Sequence, residues 1–364
     1  MTLRNILLFP ISLLYGFIIW LRNLAFDHNI LKEETFEGVF VIGVGNLSLG
    51  GTGKTTLIEW LINELSPKYK IAVLSRGYKR KTKGYIVVKT TDLHDKVGDE
   101  PLQIKYKYPD IPVVLHEKRV LGIQKIKKDF PETQVILMDD SFQHRYVKPD
   151  LNLLLTDYFN LYTDDFLFPA GTLREHKSNA KRADIVIVTK CERILSPLIY
   201  RNIKNKLNLN SDQILLTSFL KYNQLKPIYK DYPQKYDPDS VHVTAVCFSG
   251  IANSYWFLLK LKKFFSDVDF VEFGDHHSYT IKEINKIVKL HKDNYARNKV
   301  IVTTEKDAMR LQAPEFKKIL KDYPVFYLPI ECDFHQNNRN KLLSEIDKKI
   351  KQKGIISLNQ NREL

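Results

Sequence analysis

The sequence predicts an α/β protein: a doubly wound, mostly parallel sheet, then a second, smaller α/β domain, all preceded by an N-terminal membrane-associated helix. Three observations carry this reading. Short, almost wholly apolar runs alternate with helix-like stretches, a polar interval near residue 221 separates two such alternations, and no charge occurs between Arg4 and Arg22.

The N-terminal stretch comes first. Its uncharged length falls just short of the roughly 20 residues that span a bilayer, and Pro10 and Gly16 interrupt its regularity. Trp20 and the two flanking arginines suit the headgroup region, so residues 1–30 read as a helix lying in, or dipping into, the cytoplasmic leaflet. A buried core helix is the competing reading. No small-residue cleavage site follows, as a signal peptide would require. Runs at 39–44, 71–74, 111–115, 135–138, 151–155 and 185–188 are apolar nearly throughout, as expected of parallel strands covered on both faces. Between them, Ile58, Leu61, Ile62 and Leu65 share one helical face, and 118–130 reads similarly. The core domain is therefore placed at 31–220, a linker at 221–240 where Tyr, Asp, Pro and Lys crowd together, and the smaller domain at 241–340. Its strands fall at 241–248, 268–273, 299–303 and 324–328, and 341–364 completes the chain as a basic helix and tail with a solvated face.

With 56 Lys plus Arg against 42 Asp plus Glu among 364 residues, the net charge is +14. That field favours phosphorylated small molecules, anionic membranes or nucleic acid, and no nucleic-acid recognition motif is present. Cys191, Cys247 and Cys332 are widely spaced, without metal-ligand spacing, and read as reduced core residues.

The segment Ser48-Leu49-Gly50-Gly51-Thr52-Gly53-Lys54-Thr55 directly follows a strand and, with Thr56, opens a helix. This is the setting of a phosphate-binding loop, and it makes the large domain P-loop NTPase-like. The glycines let backbone N–H groups turn toward a phosphate, and the helix N-terminus adds partial positive charge. Lys54 would reach the β- and γ-phosphates, and Thr55 would ligate Mg²⁺. Ser48 stands where the first glycine is usual, and Gly50 and Gly51 supply the lost freedom. The strand at 135–138 ends in Asp139 and Asp140, which suit the metal. Adjacent side chains leave a strand on opposite faces, so one is expected toward Mg²⁺ and the other toward the acceptor.

Polar clusters fall at the other strand ends: Ser75-Arg76-Gly77-Tyr78, Gly98-Asp99-Glu100-Pro101, Ser141-Phe142-Gln143-His144-Arg145 and Gly171-Thr172-Leu173-Arg174-Glu175. The smaller domain adds Gly274-Asp275-His276-His277-Ser278-Tyr279-Thr280 and Thr303-Thr304-Glu305-Lys306-Asp307-Ala308. Arg174 with Glu175 suits a phosphate clamp and its orienting carboxylate; a surface ion pair is the rival.

In this order, over roughly residues 1–330, the set closely resembles the tetraacyldisaccharide 4′-kinase family of lipid A biosynthesis. The resemblance implies transfer of the ATP γ-phosphate to the 4′-hydroxyl of a tetraacyldisaccharide 1-phosphate at the cytoplasmic face of a bacterial inner membrane. It further implies Asp99 as the base that accepts the hydroxyl proton, with His276 as its partner. Arg76, Tyr78, Gln143, His144 and Arg145 become candidates for the disaccharide and its 1-phosphate. This sequence departs from the family pattern at Ser141 and Lys79, where glycine is common, and at Thr172, where proline is usual; none removes a charged or metal-binding group. A membrane-recruited regulatory ATPase is the alternative class. Its signature lysine before the paired glycines is Leu49 here.

Overall fold

A computed structural model of the chain describes residues 3–229 and 243–358. The chain opens with α1 (Leu3–Asp27), β1 (Phe40–Asn46), α2 (Lys54–Leu65), β2 (Ile71–Ser75), β3 (Ile86–Val87), α3 (His94–Val97) and α4 (Asp99–Lys107). It continues through β4 (Val113–Leu115), α5 (Arg119–Asp129), β5 (Val135–Asp139), β6 (Leu151–Asp157), β7 (Ile185–Cys191), α6 (Pro197–Leu207) and β8 (Ile214–Tyr222). Then come β9 (Lys226–Pro227), β10 (Thr244–Ser249), α7 (Tyr255–Phe264), β11 (Asp267–Glu272), α8 (Ile281–Asp293) and β12 (Lys299–Thr304). The last elements are α9 (Glu305–Arg310), α10 (Pro314–Leu320), β13 (Val325–Leu328), β14 (Ile330–Phe334) and α11 (Asn338–Gln352).

Every apolar run expected as a strand forms one. The larger sheet has the order β14-β8-β7-β6-β1-β5-β2-β4-β3, and only the edge strands β3 and β14 are antiparallel. β1, β2 and β5 are buried at every residue, which is why their sequences are uninterrupted apolar runs and not alternating ones. From β1 the chain moves out to β2 and β4, returns through β5, and crosses to β6 on the other flank of β1. The order thus reverses around β1, and ligands in such sheets bind outside the carboxyl ends of strands at this reversal. The smaller sheet has the order β11-β10-β12-β13-β9 and is parallel except at β9.

Several boundaries differ from expectation. β8 extends the large sheet with a strand the apolar pattern did not reveal. β14, expected within 241–340, returns to the large sheet and pairs antiparallel with β8. The chain changes sheets at Pro329, between β13 and β14, and the Pro329 carbonyl accepts from Asn223 N (3.1 Å). α11 follows it and buries Leu342, Ile346 and Ile350, a stripe at four-residue spacing, so this basic helix is solvated on one side only. The expected linker begins inside β8 and includes β9; its residues 230–240 lie outside the described residues. All three cysteines are free and buried.

α1 is 25 residues long and apolar enough to cross a membrane by length and composition. It is not a core helix: Leu7, Ile11, Leu14, Ile18 and Trp20 are all more than half exposed.

Where α2 and α4 meet the smaller sheet's α9, two buried carboxylates share one cation. Lys107 Nζ lies 2.7 Å from Glu59 and 3.0 Å from Glu305, and Gln103 Nε2 donates to Glu59 at 2.7 Å. Burial pushes the Glu59 carboxyl up, Glu305 adds to the push, and Lys107 only partly offsets it, leaving it at about 7. The unfolded value is about 4.3 and burial raises Glu305 as well, so between these limits the Glu59–Glu305 pair retains a proton that the unfolded chain has released. Stability from this site is present below about pH 4 and is lost as pH rises through about 7. Melting temperature measured between these limits should fall less steeply for Glu59→Gln than for the wild type; parallel curves would place the proton elsewhere.

Candidate active site

The loop after β1 is held from outside. Leu49 N donates to Thr172 O (2.7 Å), and Arg174 N donates to Leu47 O (2.7 Å), so the two loops are zipped together. Gly50 and Gly53 have φ of 105° and 87°, left-handed values that glycine adopts without strain. A side chain built on Gly50 or Gly51 would meet nothing within 4 Å: that flank of the loop is open. Gly53 precedes the first turn of α2, whose unsatisfied N–H groups face the loop. Thr56 Oγ donates to Gly53 O (2.9 Å), and Thr55 is buried at the start of the helix. Lys54 Nζ donates to Asn46 Oδ1 (3.1 Å) and lies 3.2 Å from Asp140.

The paired aspartates have different partners. Asp139 is buried; Ser75 Oγ donates to its Oδ2 (3.1 Å), while Oδ1 has no hydrogen-bond partner. Burial, then the charge of Asp140, pushes its carboxyl up to about 6. Asp140 turns out of the strand at φ 47°, a left-handed conformation that Asp tolerates better than most residues. Its oxygens accept from Arg174 Nη1 at 3.0 and 2.8 Å. Burial pushes this carboxyl up too, but Lys54 and Arg174 outweigh it and hold Asp140 well below the usual carboxylate range. Arg174 Nη1 also donates to Gln143 Oε1 (3.2 Å), and Gln143 Nε2 donates to Asn46 O (3.0 Å). One connected set thus contains Lys54, Asp140, Gln143 and Arg174.

A second set spans the two sheets. Asp99 is the first residue of α4, and the approach to it needs glycine twice: a Cβ on Gly77 would come within 3.0 Å of Val97 O, and one on Gly98 within 3.1 Å of Tyr78 O. Asp99 Oδ2 accepts from His276 Nδ1 (2.9 Å) and from Arg310 Nε and Nη2 (3.0 and 2.5 Å). Burial opposes ionisation, yet the bonds from His276 and Arg310 hold its carboxyl far below the usual range. His276, at φ 56°, packs edge-on against Tyr78 with ring centroids 5.5 Å apart. Arg310 is in turn fixed by Asp307 Oδ1 (2.6 Å) and Gly250 O (3.1 Å). Asp307 accepts further from Tyr279, Thr304 and Gly250 N. Lys306 Nζ donates to Glu100 at 2.6 Å, a second tie between the sheets.

Two expected site residues stand apart. Glu175 does not orient Arg174. Its buried Oε2 accepts from Asn23, Asn179 and Arg182, at 3.0, 3.0 and 2.8 Å, and the carboxylate that orients Arg174 is Asp140. Arg145 pairs with Glu33 and Asp27, each at 2.8 Å, and stacks over Phe26, so its guanidinium is engaged at the end of α1. Arg76 is exposed at the end of β2. His144 is half-buried, and burial together with nearby Arg119 pushes its imidazole down to about 4, so it is neutral near pH 7. Ser75 and Asp307 were noted only within polar clusters, without a role, and Arg310 was not anticipated. Arg310 had one available signal, its place one helical turn after Asp307.

The departures from the family pattern differ in local fit. Thr172 donates through N (3.2 Å) and Oγ1 (2.5 Å) to Asp165, the first of which proline could not do. Lys79 has φ 59°, where glycine would be free of strain. Ser141 Oγ donates to Val44 O at 3.3 Å.

The tetraacyldisaccharide-1-P 4′-kinase (LpxK) family model matches residues 4–351. The tetraacyldisaccharide 4′-kinase of Bacteroides thetaiotaomicron is 40% identical over 349 residues, covering 93% of this chain and 91% of that protein. Its counterpart in Flavobacterium johnsoniae is 40% identical over 340 residues, with 93% and 96% covered. Among solved structures, Aquifex aeolicus LpxK, crystallised in complex with ATP, superposes with a TM-score of 0.72 at 28% identity and covers 95% of this chain and 99% of that one. The chain belongs to the tetraacyldisaccharide-1-P 4′-kinase family.

Proposed function

We propose that the chain carries out its family's reaction, ATP-dependent phosphorylation of the 4′-hydroxyl of a tetraacyldisaccharide 1-phosphate, with the two residue sets described above. The observation that carries this reading is the Asp99–His276–Arg310 junction, a buried carboxylate assembled from both sheets on the edge that also bears the phosphate loop. The loop N–H groups and Lys54 hold the β- and γ-phosphates. Asp140 keeps Lys54 and Arg174 together, so two cations stand where charge is redistributed during transfer. Asp99 orients the acceptor hydroxyl and receives its proton, and His276 fixes the carboxylate. A carboxylate held so far below its usual range is a weak base. That suffices, because the transition state is loose and catalysis rests on positioning and charge neutralisation.

Thr55 and Asp139 would hold Mg²⁺. The fit rests on Asp139 Oδ1, a buried carboxylate oxygen without a partner, on a group whose ionisation burial disfavours and a cation would restore. Asp140, engaged by two cationic side chains, suits this less. When bound, the ion would neutralise charge on the β- and γ-phosphates. The exposed apolar face of α1 lies in the cytoplasmic leaflet of the inner membrane, where the acylated acceptor resides.

The test is an assay with ATP, Mg²⁺ and a tetraacyldisaccharide 1-phosphate in detergent. The expected product is the 1,4′-bisphosphate. ATP turnover that is indifferent to the lipid, with no bisphosphate formed, would overturn the reading.

A further inference from the structure

α1 is bound to the rest of the molecule along one row of side chains. Ser12 Oγ accepts from Ala170 N (2.9 Å), the Tyr15 hydroxyl donates to Arg174 O (2.8 Å), Arg22 Nη2 donates to Gln143 O (2.8 Å), and Asn23 Nδ2 donates to Glu175 Oε2 (3.0 Å). Gly16 lies so near Leu167 that an added Cβ would come within 2.6 Å of its Cδ1. Two of these bonds end on the backbone carbonyls of Arg174 and Gln143, the residues whose side chains meet each other beside Asp140. Arg174 is therefore gripped from both sides, its N–H by Leu47 just before the phosphate loop and its carbonyl by Tyr15. A guanidinium that must sit at fixed distance from a carboxylate and a phosphate is sensitive to shifts of its own backbone.

We infer that Tyr15 is a positioning residue of the phosphoryl-transfer site: through the Arg174 carbonyl it sets the guanidinium in place and makes α1 part of the catalytic frame. The inference rests on the kinase reading above and on the role of Arg174 within it. It gives the helix a task beyond attachment. The row facing the protein carries the hydrogen bonds, and the opposite row carries the apolar side chains.

Tyr15→Phe removes only the hydroxyl and keeps the ring, which meets Phe168 edge-on at 6.0 Å. In the detergent assay the variant should lose about tenfold in kcat, with KM for ATP changed by less than about twofold. A double-mutant cycle separates positioning from general weakening. In an Arg174→Ala background Tyr15→Phe should cost less than about twofold, because the group it acts through is gone. Ser12→Ala breaks a bond of the same row that ends on Ala170, and should stay within about threefold of wild type in kcat. Losses that multiply in the double variant, an equal loss in Ser12→Ala, or a wild-type kcat in Tyr15→Phe would each overturn the inference. Failure of the wild-type chain to form the bisphosphate would instead strike the kinase reading.

Discussion

Replacing Lys54 with alanine is expected to lower kcat for bisphosphate formation by about 10² to 10³-fold, the usual cost of losing one preorganised donor to transition-state charge. The folded state should survive. Lys54 is partly accessible and its partners have alternatives: Asp140 retains both contacts from Arg174, and only Asn46 Oδ1 loses its donor. The melting temperature of the variant should therefore lie close to that of wild type while turnover collapses. A variant that keeps more than about a tenth of wild-type kcat would show that the loop's backbone alone accounts for the phosphate contribution.

Asp99→Asn is expected to cost about 10² to 10⁴-fold in kcat, the range for loss of a positioned proton acceptor. It should also cost about 1–3 kcal/mol of stability, because Arg310 loses a charged partner at a buried site. Asp307 limits that loss by keeping its own 2.6 Å bond to the guanidinium. The pH dependence has a defined sign. Bonds from His276 and Arg310 depress the folded value of Asp99, so its contribution to stability is present above the unfolded value of about 3.9 and disappears only as pH falls through the lower folded value. An acid limb in kcat near neutral pH must then arise at another group, and it should persist unchanged in the residual activity of Asp99→Asn. Disappearance of such a limb in the variant would mean that Asp99 titrates near neutrality, against the geometry of its three hydrogen bonds.

The phosphate loop was legible because its chemistry is local. Strand, glycines, Lys54, Thr55 and helix are consecutive, so spacing alone defines the cradle. The parallel strands were legible for a related reason, since burial on both faces demands unbroken apolar runs. β14 escaped because an edge position relaxes that demand, and its Glu331 is exposed; β8 lies inside the sheet, and its apolar run is broken by Thr217 and Ser218, which are nonetheless buried. The Asp99 junction joins positions 177 and 211 residues apart. His276 could be proposed only from an ordered set of motifs, and Arg310, just beyond the recognised stretch, had only its helical spacing from Asp307 to mark it. Arg145 shows that neighbours in sequence can part in direction. It adjoins Gln143 and His144 in sequence, yet the chain turns there and sends the guanidinium to Glu33 and Asp27. Glu175 likewise follows Arg174 directly but points into the core toward Arg182. Adjacency in sequence says little about shared direction outside a regular element.

The two rows of α1 also differ in how freely their residues can be exchanged. Along the outer row any bulky apolar side chain serves equally well, so Leu, Ile and Phe can replace one another at little cost. Along the inner row a hydroxyl at Ser12, a phenol at Tyr15, the absence of a side chain at Gly16 and an amide at Asn23 each meet a specific atom. Drift during divergence should therefore accumulate on the outer row, in substitutions that preserve hydropathy. The inner row should change only together with its partners at residues 167–175. A helix that looks compositionally simple thus carries two different rates of change.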